Sequence, residues 1–281
     1  MATLREVLAK KRTILCPVIY DGLTARIVEM NGFDIAYIGG SNVAAAAFGL
    51  PDMGLLTLTE MVERARAIVR AVRIPVICDV DTGYGGINNT RRMVQEFEAA
   101  GVSGVHIEDQ TFPCRAISIP GAAVIPVEQY VPKLRAALEA RKSKDFLIIG
   151  RTDCKETLGM EEVIRRLNIY ADNGADIAIS GSGSHTFEEY KRLAKEVGIP
   201  VWAHCSIDQV AAPLKQWEDI GIKMVSSMPL PLFFAMKAIV KSVQALKNGT
   251  LAEMKGELAT FEDRRDALRI DEWLKWAEKW T

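Results

Sequence analysis

The sequence lacks an excess of either charge. Its 281 residues include 35 Lys and Arg against 36 Asp and Glu, which gives a formal net charge of -1. Nucleic-acid binding depends on clustered basic side chains that neutralise phosphates, and the chain contains no run rich in Lys or Arg. The sequence therefore argues against a nucleic-acid partner.

Long hydrophobic runs are also missing. No stretch reaches the roughly 18 uninterrupted apolar residues of a membrane-spanning helix. The N-terminal segment, MATLREVLAKKRTILCPVIYDGL, has no apolar signal core followed by a small-residue cleavage site. We therefore expect a cytoplasmic protein with no membrane partner.

Cysteine and histidine are few. The five cysteines are Cys16, Cys78, Cys114, Cys154 and Cys205. Their odd number and the absence of C-x-x-C spacing argue against a disulfide framework or a zinc site, and predict free, buried thiols. Among the three histidines, His106 lies inside an apolar run and is expected in the core, whereas His204 ends such a run and is expected to face a substrate pocket.

What the chain does contain is a regular alternation of two patterns. Eight β-rich apolar runs alternate with helical segments: TILCPVIY, IAYIGGS, VICDVDT, GVHIED, FLIIGRTD, IAISGS, VWAHC and KMVSSM. Continuous apolar strands separated by helices are typical of a parallel sheet that is buried on both faces. The length suits a (β/α)₈ barrel of about 250 residues, so we predict one α/β-barrel domain over residues 1–281.

Two further features refine this prediction. Glycines at 101, 174, 198 and 221 follow helical segments directly, where a left-handed cap is expected. Residues 233–281 are helical in pattern, with apolar stripes of Leu, Phe and Trp. Because a barrel already has its eight helices, we predict that this C-terminal extension packs on a neighbouring subunit.

Acidic residues follow several of the apolar runs. Asp79 and Asp81 are two residues apart and therefore share one face of a strand end, Glu108 ends the next run, and Asp52 lies in the loop after the second run. In an α/β barrel these strand ends meet in one site. Close carboxylates repel one another unless a cation lies among them, and their hard oxygens favour Mg²⁺ or Mn²⁺. Each aspartate alone could instead be a helix cap, which is the interpretation preferred for Asp109 and Asp153.

A basic residue and a glycine pair suggest how an anionic substrate would bind. Arg151 ends the fifth run, where it can hold a substrate carboxylate through two contacts or form a structural ion pair. Gly39, Gly40 and Ser41 offer unhindered backbone N–H groups to an anion, or form only a tight turn.

The segment from Tyr37 to Gln110, with its motifs YIGGSN, GLPDMG, CDVDTGYGG and HIEDQ, strongly resembles the isocitrate lyase and phosphoenolpyruvate mutase superfamily. The resemblance implies a barrel whose eighth helix is exchanged between subunits of a homotetramer or dimer. It also implies a Mg²⁺ site and small carboxylate substrates that react through an enolate.

The same resemblance assigns roles to residues. Asp81 resembles the direct metal ligand, and Asp79, Glu108 and Asp52 resemble the residues that hold metal-bound water, with Asp52 also near the reacting atoms. Gly39, Gly40 and Ser41 resemble the carboxylate cradle, Arg151 the substrate clamp and Tyr37 a pocket tyrosine. His204 is expected to contact the substrate.

The loop after the fourth strand departs from the lyases of this superfamily, which carry Lys-Arg-Cys-Gly-His there. This chain reads QTFPCRAISIPGAAVIP, with Ala116 and Ser118 at the Cys and His positions and Cys114 two positions away. Gly181 stands where the lyases have a glutamate, and Gln110 where phosphonate-processing members have a lysine. These differences point away from the lyase and mutase reactions.

The leading prediction is a Mg²⁺-dependent oxaloacetate decarboxylase, because decarboxylation needs a Lewis acid more than a base. The GGS element and the tail EWLKWAEKW resemble that branch, whose histidine after the eighth strand is replaced by VSSMPLP. The alternatives are a carbon–carbon lyase of the 2-methylmalate or isocitrate type, a phosphonopyruvate-type enzyme, and a non-catalytic carboxylate-binding protein.

Overall fold

The computed structural model describes residues 2–116, 119, 121–181, 185–227 and 230–281. Its strands are β1 (Ile14–Leu15), β2 (Val18–Ile19), β3 (Ala36–Ile38), β4 (Val76–Asp79), β5 (Gly104–Glu108), β6 (Leu147–Thr152), β7 (Ile177–Ser180), β8 (Val201–Cys205) and β9 (Met224–Ser227). All neighbouring strands are parallel, in the order β1-β9-β8-β7-β6-β5-β4-β3-β2. Since β1 and β2 belong to one segment, the sheet closes into the predicted α/β barrel.

The first predicted strand is interrupted at Pro17. The N–H of Cys16 donates to the carbonyl of Val225 on one side, and the carbonyl of Pro17 accepts from Tyr37 on the other. Proline has no N–H to extend a ladder, so the run TILCPVIY forms two short strands instead of one.

Helices follow the strands around the barrel. They are α1 (Leu4–Leu8), α2 (Gly22–Met30), α3 (Gly40–Val43), α4 (Leu58–Ala71), α5 (Ile87–Ala99), α6 (Val127–Ala140), α7 (Lys155–Asp172), α8 (Phe187–Glu196), α9 (Ile207–Val210), α10 (Leu214–Asp219), α11 (Leu230–Asn248), α12 (Phe261–Ala267) and α13 (Ile270–Ala277). A π-helical turn covers Ala44–Phe48 and a 3₁₀ segment covers Leu251–Glu257. No helix in the described ranges is long and apolar enough to cross a bilayer.

Apolar side chains form two cores, one on each side of the sheet. The larger one lies between the strands and the helices and includes Phe97, Leu167 and Trp217. The smaller one fills the barrel interior and includes Ile77, Ile149 and Trp202. Leu4 of α1 also belongs to the interior core, and it lies beside Gly104 at the start of β5. Helix α1 therefore covers the N-terminal end of the barrel and leaves the opposite end for a site.

The predicted glycine caps are confirmed in three places of four. Gly101, Gly174 and Gly221 have φ of +90°, +96° and +85°. Gly198 lies outside the left-handed region, so that prediction is wrong. Its N–H donates instead to the side chain of Asn168 on the neighbouring α7, at 3.0 Å. A side chain from another helix thus satisfies this backbone group.

The expectation that eight helices precede the C-terminal extension is also wrong. In the described part of the chain, seven helical connections join the strands from β2 to β9, and α11 itself follows the last strand. Among the side chains described in α11, Leu232 alone is buried. Most of the eighth barrel helix is therefore not covered by its own chain.

Candidate active site

The ends of β3 to β6 and β8 bring the predicted polar residues together inside the barrel. Asp79 pairs in register with His106, and Glu108 pairs with Arg151. Because side chains alternate along a strand, these residues and Tyr37 project inward. Gly40, Asp52 and Asp81 line one small cavity at the same end of the barrel.

Asp79 accepts several contacts. Its Oδ2 lies 3.3 Å from the N–H of Gly40 and 3.4 Å from the hydroxyl of Tyr37, and its Oδ1 accepts from the N–H of Asp81 at 3.1 Å. Burial alone would raise the pKa of Asp79, but His106, Arg151 and these hydrogen bonds lower it below its usual value. Asp79 therefore keeps its negative charge despite its burial.

The other carboxylates lack enough positive charge around them. Burial, with repulsion from Asp79 and Asp52, raises the pKa of Asp81 to about 8. Burial and Asp79 raise the pKa of Asp52 to about 6, and burial raises the pKa of Glu108 well above its usual value. A bound cation would offset this repulsion.

This donor set fits the metal that the sequence predicts. The ligands are hard carboxylate oxygens, which suit Mg²⁺ or Mn²⁺. Within the described ranges no three acidic, His or Cys side chains are placed to hold one ion together. The arrangement fits an ion that takes few protein ligands and keeps water or substrate in its other positions, as Mg²⁺ commonly does.

Arg151 is fixed by a planar ion pair with Asp153. Its Nε and Nη2 donate to the two carboxylate oxygens of Asp153, each at 2.9 Å, and Nη2 lies 3.4 Å from Glu108 Oε2. Gln110 donates to the same Asp153 at 2.7 Å. The predicted two-point contact to a substrate carboxylate must therefore use the Nη1 side of the guanidinium, which Asp153 does not occupy.

Gly181 leaves the space that this ion pair fills. A Cβ at position 181 would lie 1.9 Å from Asp153 Oδ1 and 2.5 Å from Arg151 Nε. Any larger residue, including the glutamate of the lyases, would displace the pair. Glycine at position 181 therefore allows Arg151 and Asp153 to lie where they do.

Cys114 lies in the site, although the sequence places it two positions from the lyase cysteine. Its side chain is buried and within hydrogen-bonding reach of Asp81 and Glu108. Burial and the nearby carboxylates raise the pKa of the thiol, which keeps it protonated. Ala116 donates its N–H to the carbonyl of Asp52 at 3.1 Å, and Ser118 lies outside the described residues.

His106 is buried and His204 is half-buried, and both rings are neutral. His106, expected in the core, is indeed buried, and its Nε2 lies 2.8 Å from the Tyr37 hydroxyl. Its Nδ1 has no hydrogen-bond partner in the described residues and lies 3.6 Å from Asp79, so it belongs to the site more than the sequence suggests. His204 Nδ1 lies 2.8 Å from the Ser226 hydroxyl. Burial lowers the pKa of both rings to about 4.

Two aspartates predicted as helix caps have other roles. Asp109 accepts from Thr152, Tyr170 and Arg166 at 2.7 to 2.8 Å, and Asp153 pairs with Arg151. The N-cap residue of α6 is Pro126 and that of α7 is Cys154, so both cap predictions are wrong. Neither network could be read from the sequence, because its members come from different strands and helices.

The glycine pair, for which an anion cradle is predicted, lies beside the carboxylates. Gly39 precedes the short helix α3, and the N–H of Gly40 is directed at Asp79. A Cβ at Gly40 would lie 3.2 Å from Asp79 and 3.4 Å from Asp81, so glycine permits the close approach. The Ser41 hydroxyl lies 3.2 Å from the side-chain oxygen of Asn42.

Comparison with known proteins identifies relatives over the whole barrel. The sequence profile described as phosphoenolpyruvate phosphomutase matches residues 4–247. The 2,3-dimethylmalate lyase of Eubacterium barkeri is 35% identical over 274 residues, covering 96% of this chain and 94% of the lyase. The oxaloacetate decarboxylase of Rhodopseudomonas palustris is 32% identical over 262 residues, covering 92% of this chain and 89% of the decarboxylase.

A solved structure shares the same architecture. Phosphonopyruvate hydrolase in complex with oxalate and Mg²⁺ superposes with a TM-score of 0.84 at 26% identity, covering 98% of this chain and 96% of the hydrolase. The relatives thus include enzymes that are named for different reactions on small carboxylates.

Proposed function

The chain belongs to the phosphoenolpyruvate phosphomutase family of the PEP mutase/isocitrate lyase superfamily, and from this premise we propose that it is a Mg²⁺-dependent carboxy-lyase that acts on a small 2-oxo dicarboxylate such as oxaloacetate. The observation that carries the proposal is the cluster of under-neutralised carboxylates, with Glu108 buried and Asp52 and Asp81 half-buried, beside the fixed guanidinium of Arg151. The similarity to an oxaloacetate decarboxylase supports it.

The side chains have distinct proposed roles. Asp81 would hold the metal directly, and Asp79, Glu108 and Asp52 would orient its water molecules. The bound ion would supply a Lewis acid that polarises the 2-oxo group and stabilises the enolate charge. Arg151 would bind the carboxylate next to the 2-oxo group through its Nη1 side, and the N–H of Ser41 would help to orient it. The N–H of Gly39 donates to Ile19 and that of Gly40 to Asp79, so these two glycines would shape the cradle by leaving space for the substrate.

In this reaction the bond between C3 and the departing carboxylate breaks, and its electron pair forms the enolate as CO₂ leaves. A proton from water then adds to C3 and gives pyruvate. No side chain has to act as a base, which agrees with the lowered pKa values of His106 and His204, since a ring that resists protonation is a weak base. Tyr37, whose pKa is raised well above its usual value by burial, keeps its proton and can donate a hydrogen bond.

Cys114 favours a second candidate, a carbon–carbon lyase. A protonated thiol beside Asp81 and Glu108 is a possible proton donor to an enolate, and a 2,3-dimethylmalate lyase is among the relatives. The lyase would release two organic products, a 2-oxo acid and a second carboxylic acid. The decarboxylase releases one organic product, pyruvate, together with CO₂.

Product analysis separates the two candidates. The protein is incubated with Mg²⁺ and either oxaloacetate or 2,3-dimethylmalate, and the products are identified by NMR. We expect pyruvate and CO₂ from oxaloacetate, with Cys114→Ser nearly as active as the unmodified protein. Cleavage of 2,3-dimethylmalate that is lost in Cys114→Ser would establish the lyase instead, and tight carboxylate binding without any turnover would favour a binding protein.

Calorimetry tests the metal assignment independently of turnover. Mg²⁺ and oxalate, an enolate mimic, should bind the unmodified protein and bind Asp81→Ala much more weakly. Asp219→Ala, at an exposed position paired with Lys215, is the matched control. Equal binding to Asp81→Ala would show that the metal lies elsewhere.

A further inference from the structure

Gln110 is a buried polar residue to which the proposed reaction gives no role. It lies two residues after the end of β5 and is 3% exposed. The N–H of Thr111 donates to the carbonyl of Ala123 at 2.8 Å. The N–H of Ile125 donates to the carbonyl of Asp109, also at 2.8 Å. These hydrogen bonds hold the backbone on both sides of Gln110, so its side chain projects from a fixed position.

The amide of Gln110 joins two parts of the candidate active site. Its Nε2 donates to Asp153 Oδ2 at 2.7 Å. The same Nε2 donates to the carbonyl of Arg115 at 3.0 Å, and Oε1 accepts from the N–H of Arg115 at 3.0 Å. A glutamine amide carries two donor hydrogens and an acceptor on one planar group, so a single side chain makes all three hydrogen bonds.

Asp153 connects this amide to the proposed substrate clamp. Both of its carboxylate oxygens accept from Arg151, each at 2.9 Å. Oδ2 therefore accepts from Gln110 and from Arg151 at once. A carboxylate held by partners on two sides has little freedom to rotate, and it sets the plane of the guanidinium that is paired with it.

Arg115 connects the amide to the loop that carries Asp52. Cys114 lies against Gly54, where an added Cβ would be 3.2 Å from the Cys114 nitrogen and 3.4 Å from its Sγ. The N–H of Ala116 donates to the carbonyl of Asp52 at 3.1 Å. The amide thus holds the middle residue of a short segment whose two ends contact the loop of the proposed metal site.

We propose that Gln110 is a positioning residue that fixes the Arg151 clamp and the segment of Cys114 relative to each other. This inference rests on the proposed function, in which Arg151 binds a substrate carboxylate. Without the amide, Asp153 loses one partner and the backbone at Arg115 loses two hydrogen bonds. The affinity for a carboxylate and the protection of Cys114 from solvent should therefore decrease together.

Thiol labelling with N-ethylmaleimide, resolved by peptide mass spectrometry, tests this role without any ligand. All five cysteines are buried, so the other four report on the fold as a whole. Gln110→Met has a side chain of similar length and no amide. We expect Cys114 in this variant to be modified about tenfold faster than in the unmodified protein, because its segment opens more often. The other four cysteines should keep their rates.

Calorimetry with Mg²⁺ and oxalate tests the clamp. Gln110→Met should weaken oxalate binding at least about threefold. Gln110→Glu should weaken it further, because its second carboxylate oxygen would face Asp153 Oδ2. Gln95→Met, at an exposed glutamine of α5, is the matched control and should behave like the unmodified protein in both measurements.

Three outcomes would overturn the proposal. They are an unchanged labelling rate of Cys114, equal acceleration at all five cysteines, which would indicate a role in the fold only, and unchanged oxalate affinity in both Gln110 variants. If Gln110→Met fails to fold, Gln110→Glu must show the faster labelling of Cys114. Absence of oxalate binding by the unmodified protein would refute the proposed function alone, and the labelling would still decide the role of Gln110.

Discussion

At the scale of single residues, the orientation of Arg151 is set by its neighbours. Asp153 occupies Nε and Nη2, Gln110 holds Asp153, and Gly181 leaves room for the pair. Because two donor positions are occupied, the side chain has little rotational freedom. A guanidinium fixed in this way is preorganised for a planar carboxylate.

We expect Arg151→Lys to reduce kcat/KM for oxaloacetate about a hundredfold, on the order of 3 kcal/mol of transition-state stabilisation. The guanidinium can pair with Asp153 on one side and with a substrate carboxylate on the other, all in one plane. The ammonium of lysine has no such planar pair of donors on two sides. Steady-state kinetics with Mg²⁺ checks this, with Arg92→Lys as the surface control. A loss below threefold would mean that Arg151 has a structural role only.

Gly181→Ala should disturb the same arrangement without removing a charge. The new methyl group would overlap Asp153, so the pair or the backbone must move, at a cost of about 1–3 kcal/mol in the free energy of unfolding. Urea denaturation measures this cost, and turnover should fall with it. The control is Gly256→Ala, where an added Cβ meets nothing within 4 Å; equal effects in both variants would contradict the steric argument.

At the scale of secondary structure elements, His185 links three of them. Its Nε2 lies 2.7 Å from Ser180 at the end of β7, its carbonyl accepts from Gln209 in α9, and it precedes the N-terminus of α8. The ring is buried against Tyr190. Burial, with Lys155 nearby, lowers its pKa to about 4, although Glu189 and Glu156 act in the opposite direction.

This lowered pKa predicts a pH dependence of stability. The unfolded chain takes up a proton at His185 below about pH 6.5, whereas the folded chain does so only near pH 4. The contribution of neutral His185 to the free energy of unfolding is therefore fully present above pH 6.5. It is lost as the pH falls towards 4, by at most about 1.4 kcal/mol per pH unit. Denaturation of the metal-free protein at several pH values measures how the free energy of unfolding changes with pH. This change should be less steep in His185→Gln, by the equivalent of about one bound proton. Identical slopes would show that His185 titrates normally.

The elements show where sequence patterns are reliable. Apolar runs predict all the barrel strands, because burial on both faces demands continuous apolar residues. Pro17 divides the first run, and Asn168 of a neighbouring helix replaces the cap predicted at Gly198. Both differences arise from partners that are distant in sequence, which a local pattern does not contain.

At the scale of the whole molecule, the C-terminal helices are the most unusual feature. On α11, Phe234, Ile239, Val243 and Leu246 are 60 to 68% exposed. Phe261, at the start of α12, is 90% exposed. Large apolar side chains exposed in such number usually mark an interface.

We propose that α11 to α13 pack on a second copy of the chain, in a homodimer or homotetramer. Light scattering at micromolar concentration should show the oligomer, and Ile239→Lys combined with Val243→Lys should shift it to monomer, because both charges would be buried at the interface. Lys247→Glu, in the last turn of the same helix, is the control and should leave the assembly intact. A stable monomer of the unmodified chain would refute the proposal.

The sequence by itself determined the barrel and the carboxylates at its strand ends, because strand periodicity and βα order are local properties of the chain. The metal, the substrate and the subunit packing remain predictions. The tertiary structure decided that Cys114 lies against Asp81 and Glu108 and that Gly181 makes room for the Arg151 pair. These arrangements depend on distances between residues that are far apart in sequence, and such distances are fixed only when the packed core closes the barrel.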